Sequence, residues 1–293
     1  MTGLATTLLT LAGCGAVNKM AAKTVANTLS KNGDVFTRDD DPELIRKAVP
    51  FALKTYESLL ETLPSHKDLL IATCSGFTSY SFAFVQTDAD ILGEEHHNEV
   101  KALNAEAAKL YVRGKDYCLR ALDVRFPGAS KKLLRDPDSA VKQAGKGDVE
   151  LLYWTAASWG LAMELNLDLA IDFPAVRALV ERALALDEGW RQGSLHELMI
   201  TLDSVEQLGG SVERAREHFR RAVELRGGTS PSPYVALAVG VSQPKQDRAE
   251  FERLLNEALA IDPDKDKSNR LTTIITQRRA RALLDQIDSL FSK

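Results

Sequence analysis

The chain is poor in the residues that interrupt regular structure and rich in those that extend helices. Its 293 residues hold only 18 glycines and 10 prolines, which excludes a collagen-like repeat, a low-complexity linker and a turn-rich all-β fold. Three cysteines are too few for a disulfide-dense scaffold. Aromatic residues make up 6% of the chain, and 37 basic residues against 41 acidic ones leave a formal net charge of −4. That balance supplies no positive field for holding nucleic acid. No apolar run approaches the roughly 20 residues of a membrane-spanning helix. What is abundant is Ala, Leu, Glu and Arg, with 44% hydrophobic residues, enough for a sizeable helical core.

The N-terminus has its own composition. Residues 1–13 are uncharged and mostly apolar, and end in Leu11-Ala12-Gly13 before Cys14-Gly15. Small residues before a cysteine, after an apolar stretch too short to span a bilayer, resemble a bacterial lipoprotein signal. In such signals the peptide is removed and the new N-terminal cysteine, here Cys14, carries lipid. No Lys or Arg precedes the apolar stretch, so the basic n-region is missing; a mis-assigned start codon would explain the gap. Export would place the chain in an oxidising medium where Cys74 and Cys118 have the chance to pair. Each sits on the apolar face of an expected helix, however, and two buried free thiols are expected.

Residues 14–40 read as a tether with a weak helix over Val17–Leu29 and a breaker-rich Lys31-Asn32-Gly33-Asp34. A helical domain then runs over 41–293. Asp41-Pro42-Glu43 is a helix start: a capping carboxylate, a proline suited to the first turn, and an acid at the positive end. Helical periodicity predicts segments near 42–62, 66–87, 97–126, 148–165, 172–187, 194–208, 211–226, 247–261 and 268–291, with shorter pieces near 130–144 and 232–241. Leu271-Thr272-Thr273-Ile274-Ile275 has strand propensity, but its flanks continue a helix.

A degenerate repeat lies within this pattern. Ala215-x3-Phe219-x2-Ala222 returns as Phe251-x3-Leu255-x2-Ala258 and as Val176-x3-Val180-x2-Ala183, with looser copies at Ala52-x3-Tyr56-x2-Leu59 and Tyr117-x3-Ala121. The phrase is similar to the second helix of a tetratricopeptide repeat, in which small residues let two antiparallel helices approach closely. The spacing is irregular, at 36 residues from Ala222 to Ala258 and 39 from Ala183 to Ala222. The expected fold class is therefore all-α, a solenoid of degenerate tetratricopeptide-like helix pairs.

Longer segments carry a family resemblance. Asp41-Pro42-Glu43-Leu44 leading to Ala48-Val49-Pro50-Phe51, then Phe77-Thr78-Ser79-Tyr80, Leu110-Tyr111-Val112-Arg113-Gly114, Trp154-Thr155-Ala156-Ala157-Ser158-Trp159 and Gln277-Arg278-Arg279-Ala280-Arg281 follow one another over roughly 41–291. In order and spacing they resemble the T component (TatT) family of tripartite ATP-independent periplasmic (TRAP) transporters. The resemblance implies a lipid-anchored periplasmic accessory protein without enzymatic activity, curled around a central pore and forming homotrimers. It further implies a partner, the solute-binding P subunit, and transfer of a small organic-acid or hydrophobic ligand. Gly15 is not the aspartate associated with inner-membrane retention, which leans the anchoring towards the outer membrane. Two other readings fit the same pattern: a generic repeat scaffold lipoprotein for envelope protein assembly, and a stand-alone binder of hydrophobic ligands.

No motif for catalysis, cofactor or metal stands out. His96 and His97 are adjacent and point about 100° apart on a helix, so they do not share a face. Asp262-x-Asp264-x-Asp266 imitates a calcium loop but has Lys267 where the turn glycine belongs and Thr273 where the bidentate glutamate belongs. Gly145-Lys146-Gly147 lacks P-loop spacing. Ligand contact is assigned instead to amphipathic aromatics and a cation: Tyr80 and Phe84, on a stripe with Phe77; Trp154 and Trp159; and Arg113 with Tyr117, the arginine to meet a carboxylate. The run Gln277–Arg281 is a further candidate for binding an anion or an acidic partner.

Overall fold

The computed structural model describes residues 12–291, with side chains from residue 18 onward except that of Glu94. The signal segment at 1–13 therefore falls almost wholly outside the described residues, as does the side chain of Cys14. Every regular element among the described residues is helical. The principal helices are α1 (Ala12–Lys31), α2 (Pro42–Thr62), α3 (Lys67–Leu92), α4 (His97–Arg125), α5 (Val149–Leu165) and α6 (Phe173–Leu186). They continue as α7 (Ser194–Ser204), α8 (Val212–Arg226), α9 (Ser232–Ser242), α10 (Arg248–Leu259) and α11 (Arg270–Asp285).

The expected helix start at Asp41 forms as the chemistry dictates. Its side chain accepts from the amides of Glu43 and Leu44, both at 3.0 Å, with Pro42 in the first turn. The strand-prone Leu271–Ile275 lies inside α11, where Leu271, Thr273 and Ile275 are buried. The small-residue faces of the repeat phrases are also buried: Ala215, Ala222, Phe251, Leu255, Ala258, Val176, Val180 and Ala183 are all fully inaccessible.

Helix α3 is the centre of the N-terminal half, packing on α4, α5, α2 and α1. At 26 residues it is long and apolar enough to cross a membrane by length and composition, although no unbroken apolar run of that length marks it in the sequence. Leu69, Leu70, Cys74, Phe77 and Phe84 are buried against its neighbours, so it is a core helix of this fold. Within it, Ser81–Gln86 forms a π-helical turn, and a second such turn, Ala238–Ser242, ends α9. Each inserts a residue into a turn and re-aims the side chains beyond it.

Cys74 and Cys118 form a disulfide, with Cα atoms 5.4 Å apart, rather than the two free thiols expected. Gly114, one turn before Cys118, supplies the reason. A Cβ there would lie 2.9 Å from the Thr78 hydroxyl and 3.1 Å from the Cys74 carbonyl oxygen, so its absence lets α4 come close enough to α3 for the sulfurs to meet. Two cysteines on apolar faces are inert as thiols only while the helices stay a normal distance apart.

The last long helix packs back on the first ones. Ile45 of α2, Phe84 of α3 and Leu271 and Ile275 of α11 form one buried cluster. Around it, Arg270 pairs with Asp40 at 2.8 Å, Arg279 with Asp90 at 2.7 Å and Arg278 with Glu43 at 3.4 Å. Beyond the end of α11, the Gln286 amide donates to the carbonyls of Asp90 and Ile91, both at 3.1 Å. Gly93, at φ +72°, ends α3 beside this amide; a Cβ there would lie 2.5 Å from Gln286 Oε1. The last long helix is thus held against the early ones, and a cavity lies between the helices.

Candidate functional site: a cavity between the helices

The space between the helices is a partly open cavity of about 1640 Å³. It exceeds the ~300–1,000 Å³ of a pocket for a drug-sized ligand. Helices α2, α3, α5, α7, α9 and α11 all contribute to its wall, so segments more than 200 residues apart in sequence face the same void. Both π-helical turns lie on that wall, through Phe82, Ala83, Phe84 and Gln86 in one and Val239, Gly240 and Val241 in the other.

The sequence candidates divide. Tyr80, Phe84 and Trp154 are on the cavity wall. Tyr80 and Phe84 pack with ring centroids 5.5 Å apart, and Trp154 meets Tyr153 edge-on at 5.0 Å. Phe77 is off the wall and stacks on Tyr117 at 6.1 Å instead. Trp159 is fully buried outside the wall, with the Lys115 ammonium over its ring at 5.4 Å.

Arg113 and Tyr117 also lie off the wall. Both are engaged by Glu57, a buried carboxylate that accepts from Arg113 Nε at 2.6 Å, from the Tyr117 hydroxyl at 2.9 Å and from Lys54 at 2.6 Å. Burial pushes the Glu57 carboxyl up, but the hydrogen bonds from Lys54, Tyr117 and Arg113 outweigh it and hold it below its ordinary range. Arg113 is therefore already paired with a protein carboxylate, through Glu57 Oε1.

Charges that do face the cavity come mostly in pairs. Arg191 meets Glu150 at 3.0 Å, Arg226 meets Glu197 at 2.9 Å and Lys245 meets Glu206 at 2.8 Å. Between them the wall is aliphatic, aromatic and hydroxyl-bearing, as at Ser79, Thr201, Thr272 and Thr276. Such a surface solvates an amphipathic guest and attracts no bare ion.

One polar group on the wall stands apart. Glu164, near the C-terminal end of α5, is accessible to the cavity yet enclosed by protein, and burial raises its pKa against the pull of Arg279. Its oxygen accepts weakly from the Gln86 amide at 3.4 Å. Sequence reading missed Glu164, since a single glutamate late in an apolar helix carries no signal until the opposite walls are known. Arg279 was within the basic run singled out, but nothing in Gln277–Arg281 distinguishes the arginine that points inward from Arg278, which is exposed.

A second cluster lies elsewhere, between α7 and α8. His196 and His218 face each other through their Nδ1 atoms at 2.7 Å, flanked by Glu188 at 3.2 Å from His196 and by Asp203 at 3.6 Å from His218. Asp203 is fully buried and also holds Arg177 and Arg214, each at 2.9 Å. These residues knit the helices together. Among the described residues, no group of three or more His, Cys, Asp or Glu is placed to hold a metal ion.

Comparison with known proteins bears on the whole helical domain. A family model described as the TRAP transporter T-component matches residues 38–291. An uncharacterized protein of Treponema pallidum (strain Nichols) is 30% identical over 267 residues, covering 88% of this chain and 82% of that protein.

Proposed function

The chain belongs to the TRAP transporter T-component family, and from that premise we propose that it is the accessory component that docks a solute-binding P subunit and offers its cavity to the ligand in transit. The observation that carries the reading is the cavity itself: about 1640 Å³, walled by helices from both ends of the chain, aromatic and aliphatic with its charges mostly paired. A protein that moves a small organic or hydrophobic molecule without transforming it needs space, apolar walls and no reactive group, and the reading assigns no catalytic residue. The helix pairs act as a solenoid whose curl makes the cavity a through passage, and three copies assemble around the transfer route.

The proposal places the protein in the periplasm, held by lipid on Cys14, with the outer membrane favoured by Gly15. The Cys74–Cys118 disulfide supports an oxidising compartment, since such bonds persist outside the reducing cytosol. Co-purification from native envelopes with a solute-binding protein, together with the mass of the mature N-terminal peptide, tests both halves. Retention of Met1 in natively expressed protein removes the periplasmic assignment. Recovery of the chain with envelope-assembly proteins and no solute-binding partner favours the scaffold reading, and tight ligand binding with no partner favours a stand-alone binder.

A further inference from the structure

We propose that Arg279 and Gln86, bordered by Glu164, form a head-group subsite on the cavity wall that takes the carboxylate of a ligand whose apolar body lies along α5. This rests on the cavity reading above and adds to it the chemical class of the guest, a monocarboxylate with an extended apolar part.

The three side chains come from three helices. Arg279 is on α11, Gln86 in the π turn of α3 and Glu164 on α5, and all three line the cavity. Gln86 is almost fully buried, and its oxygen is taken by the hydroxyl of buried Tyr111 from α4. That bond fixes the amide, aiming its NH2 group at Glu164. Arg279 lies over the Phe82 ring at 5.6 Å, which holds the guanidinium plane without using its donors. Its Nε is 2.7 Å from Asp90 Oδ2, yet neither atom makes a hydrogen bond of proper geometry. The pair compensates charge while leaving the guanidinium fork available to a planar oxygen pair.

Glu164 borders the site, accepting from the Gln86 amide at 3.4 Å, and burial raises its pKa against the pull of Arg279, which eases the approach of a second carboxyl group. The apolar track begins one turn away. Trp154, Ala157, Leu161 and Glu164 recur at i, i+3, i+7 and i+10, and all face the cavity. From Trp154 to Glu164 the stripe is about 15 Å long, at 1.5 Å per residue. A carboxylate held at Arg279 would thus lay its apolar body towards Trp154. Arg113, which sequence reading had assigned to this task, is bound to Glu57 and off the wall.

Fluorescence titration of the full chain with cis-parinaric acid and with its methyl ester tests the subsite. The acid is expected to bind at least ~10-fold more tightly than the ester, the discrimination of one charge-assisted hydrogen bond or more. Arg279→Gln should erase that preference while leaving the ester's affinity and the helical circular dichroism unchanged. Asp90→Asn, which releases Arg279 from its carboxylate, should increase the preference, and a loss of folding cannot mimic that gain. Glu164→Gln removes a carboxyl group from beside the site and should not weaken the preference; a weakened preference would count against the placement of the head group. Equal binding of acid and ester by the wild type, or a preference untouched by Arg279→Gln, overturns the subsite and leaves the cavity reading intact. Binding of neither probe overturns both.

Discussion

The disulfide between α3 and α4 gives the sharpest quantitative test, because its contribution follows from one number. Cys74 and Cys118 are 44 residues apart, and both are fully buried. Closing a loop of that length in the unfolded chain removes conformational entropy worth about 4 kcal/mol at 25 °C on the chain-entropy treatment. For a chain of this size, each kcal/mol corresponds to roughly 2–4 °C in the unfolding midpoint, so breaking the bond should lower it by roughly 10 °C or more. The native protein should resist dithiothreitol, since neither sulfur is accessible, and become reducible only on unfolding. Calorimetry of the oxidised protein, of protein unfolded and refolded in reductant, and of the Cys74→Ala/Cys118→Ala variant measures the loss. Alkylation in denaturant without reductant provides the independent readout, with both cysteines expected to be protected. Quantitative labelling of both, or a midpoint unmoved by reduction, would refute the close approach that Gly114 is argued to permit.

Three further perturbations probe other parts of the argument. Gly114→Val should separate α3 from α4 by placing carbon against the Thr78 hydroxyl and the Cys74 carbonyl, costing about 1–3 kcal/mol as overpacking and leaving the two thiols free to label. Asp203→Ala removes the buried acceptor shared by Arg177 and Arg214, which keep Glu181 and the Gly209 carbonyl as partners, and urea unfolding should show about 1–3 kcal/mol lost; no loss would contradict the pairing. Burial lowers the pKa of both His196 and His218, so each folds neutral. Their folded pKa values lie below the unfolded ~6.5, so their contribution is complete above ~6.5 and is lost as the pH falls below it. The thermal midpoint should drop from pH 7.5 to pH 5.5, more steeply in the wild type than in His196→Gln/His218→Gln.

Local chemistry in this chain is readable from the sequence, and contacts between distant segments are not. Asp41-Pro42-Glu43 announces a helix start because a cap depends only on its own next three residues. The run Leu271–Ile275 shows the opposite pull, where β-branched residues suggest a strand and the helical periodicity of the flanks wins. The buried small-residue faces of Ala215-Ala222 and Val180-Ala183 were visible for the same reason, since a face is a local property of a helix. The disulfide was not visible, because apolar placement of two cysteines says nothing about helix separation, which Gly114 sets. Nor was the π turn at Ser81–Gln86, which interrupts the α-helical spacing between Tyr80 and Phe84, or the stacking of Phe77 on Tyr117 away from the cavity wall.

The arginines carry the same argument into the candidate site. Arg113 and Arg279 both sit in helices beside aromatic residues, and each lies over a ring, Phe77 at 5.0 Å for one and Phe82 at 5.6 Å for the other. Their local sequence gives no reason to prefer either as a ligand contact. What separates them is the carboxylate each meets. Glu57 reaches Arg113 from α2 with hydrogen-bonding geometry and draws Tyr117 and Lys54 into the same cluster, which holds that guanidinium away from the cavity wall. Asp90 reaches Arg279 across the seam where the chain's two ends meet, close enough to balance its charge and too poorly aligned to occupy its donors. The closure of α11 on α2 and α3 therefore does two things with one set of contacts: it completes the wall of the cavity, and it delivers into that wall a cation that is neutralised without being consumed.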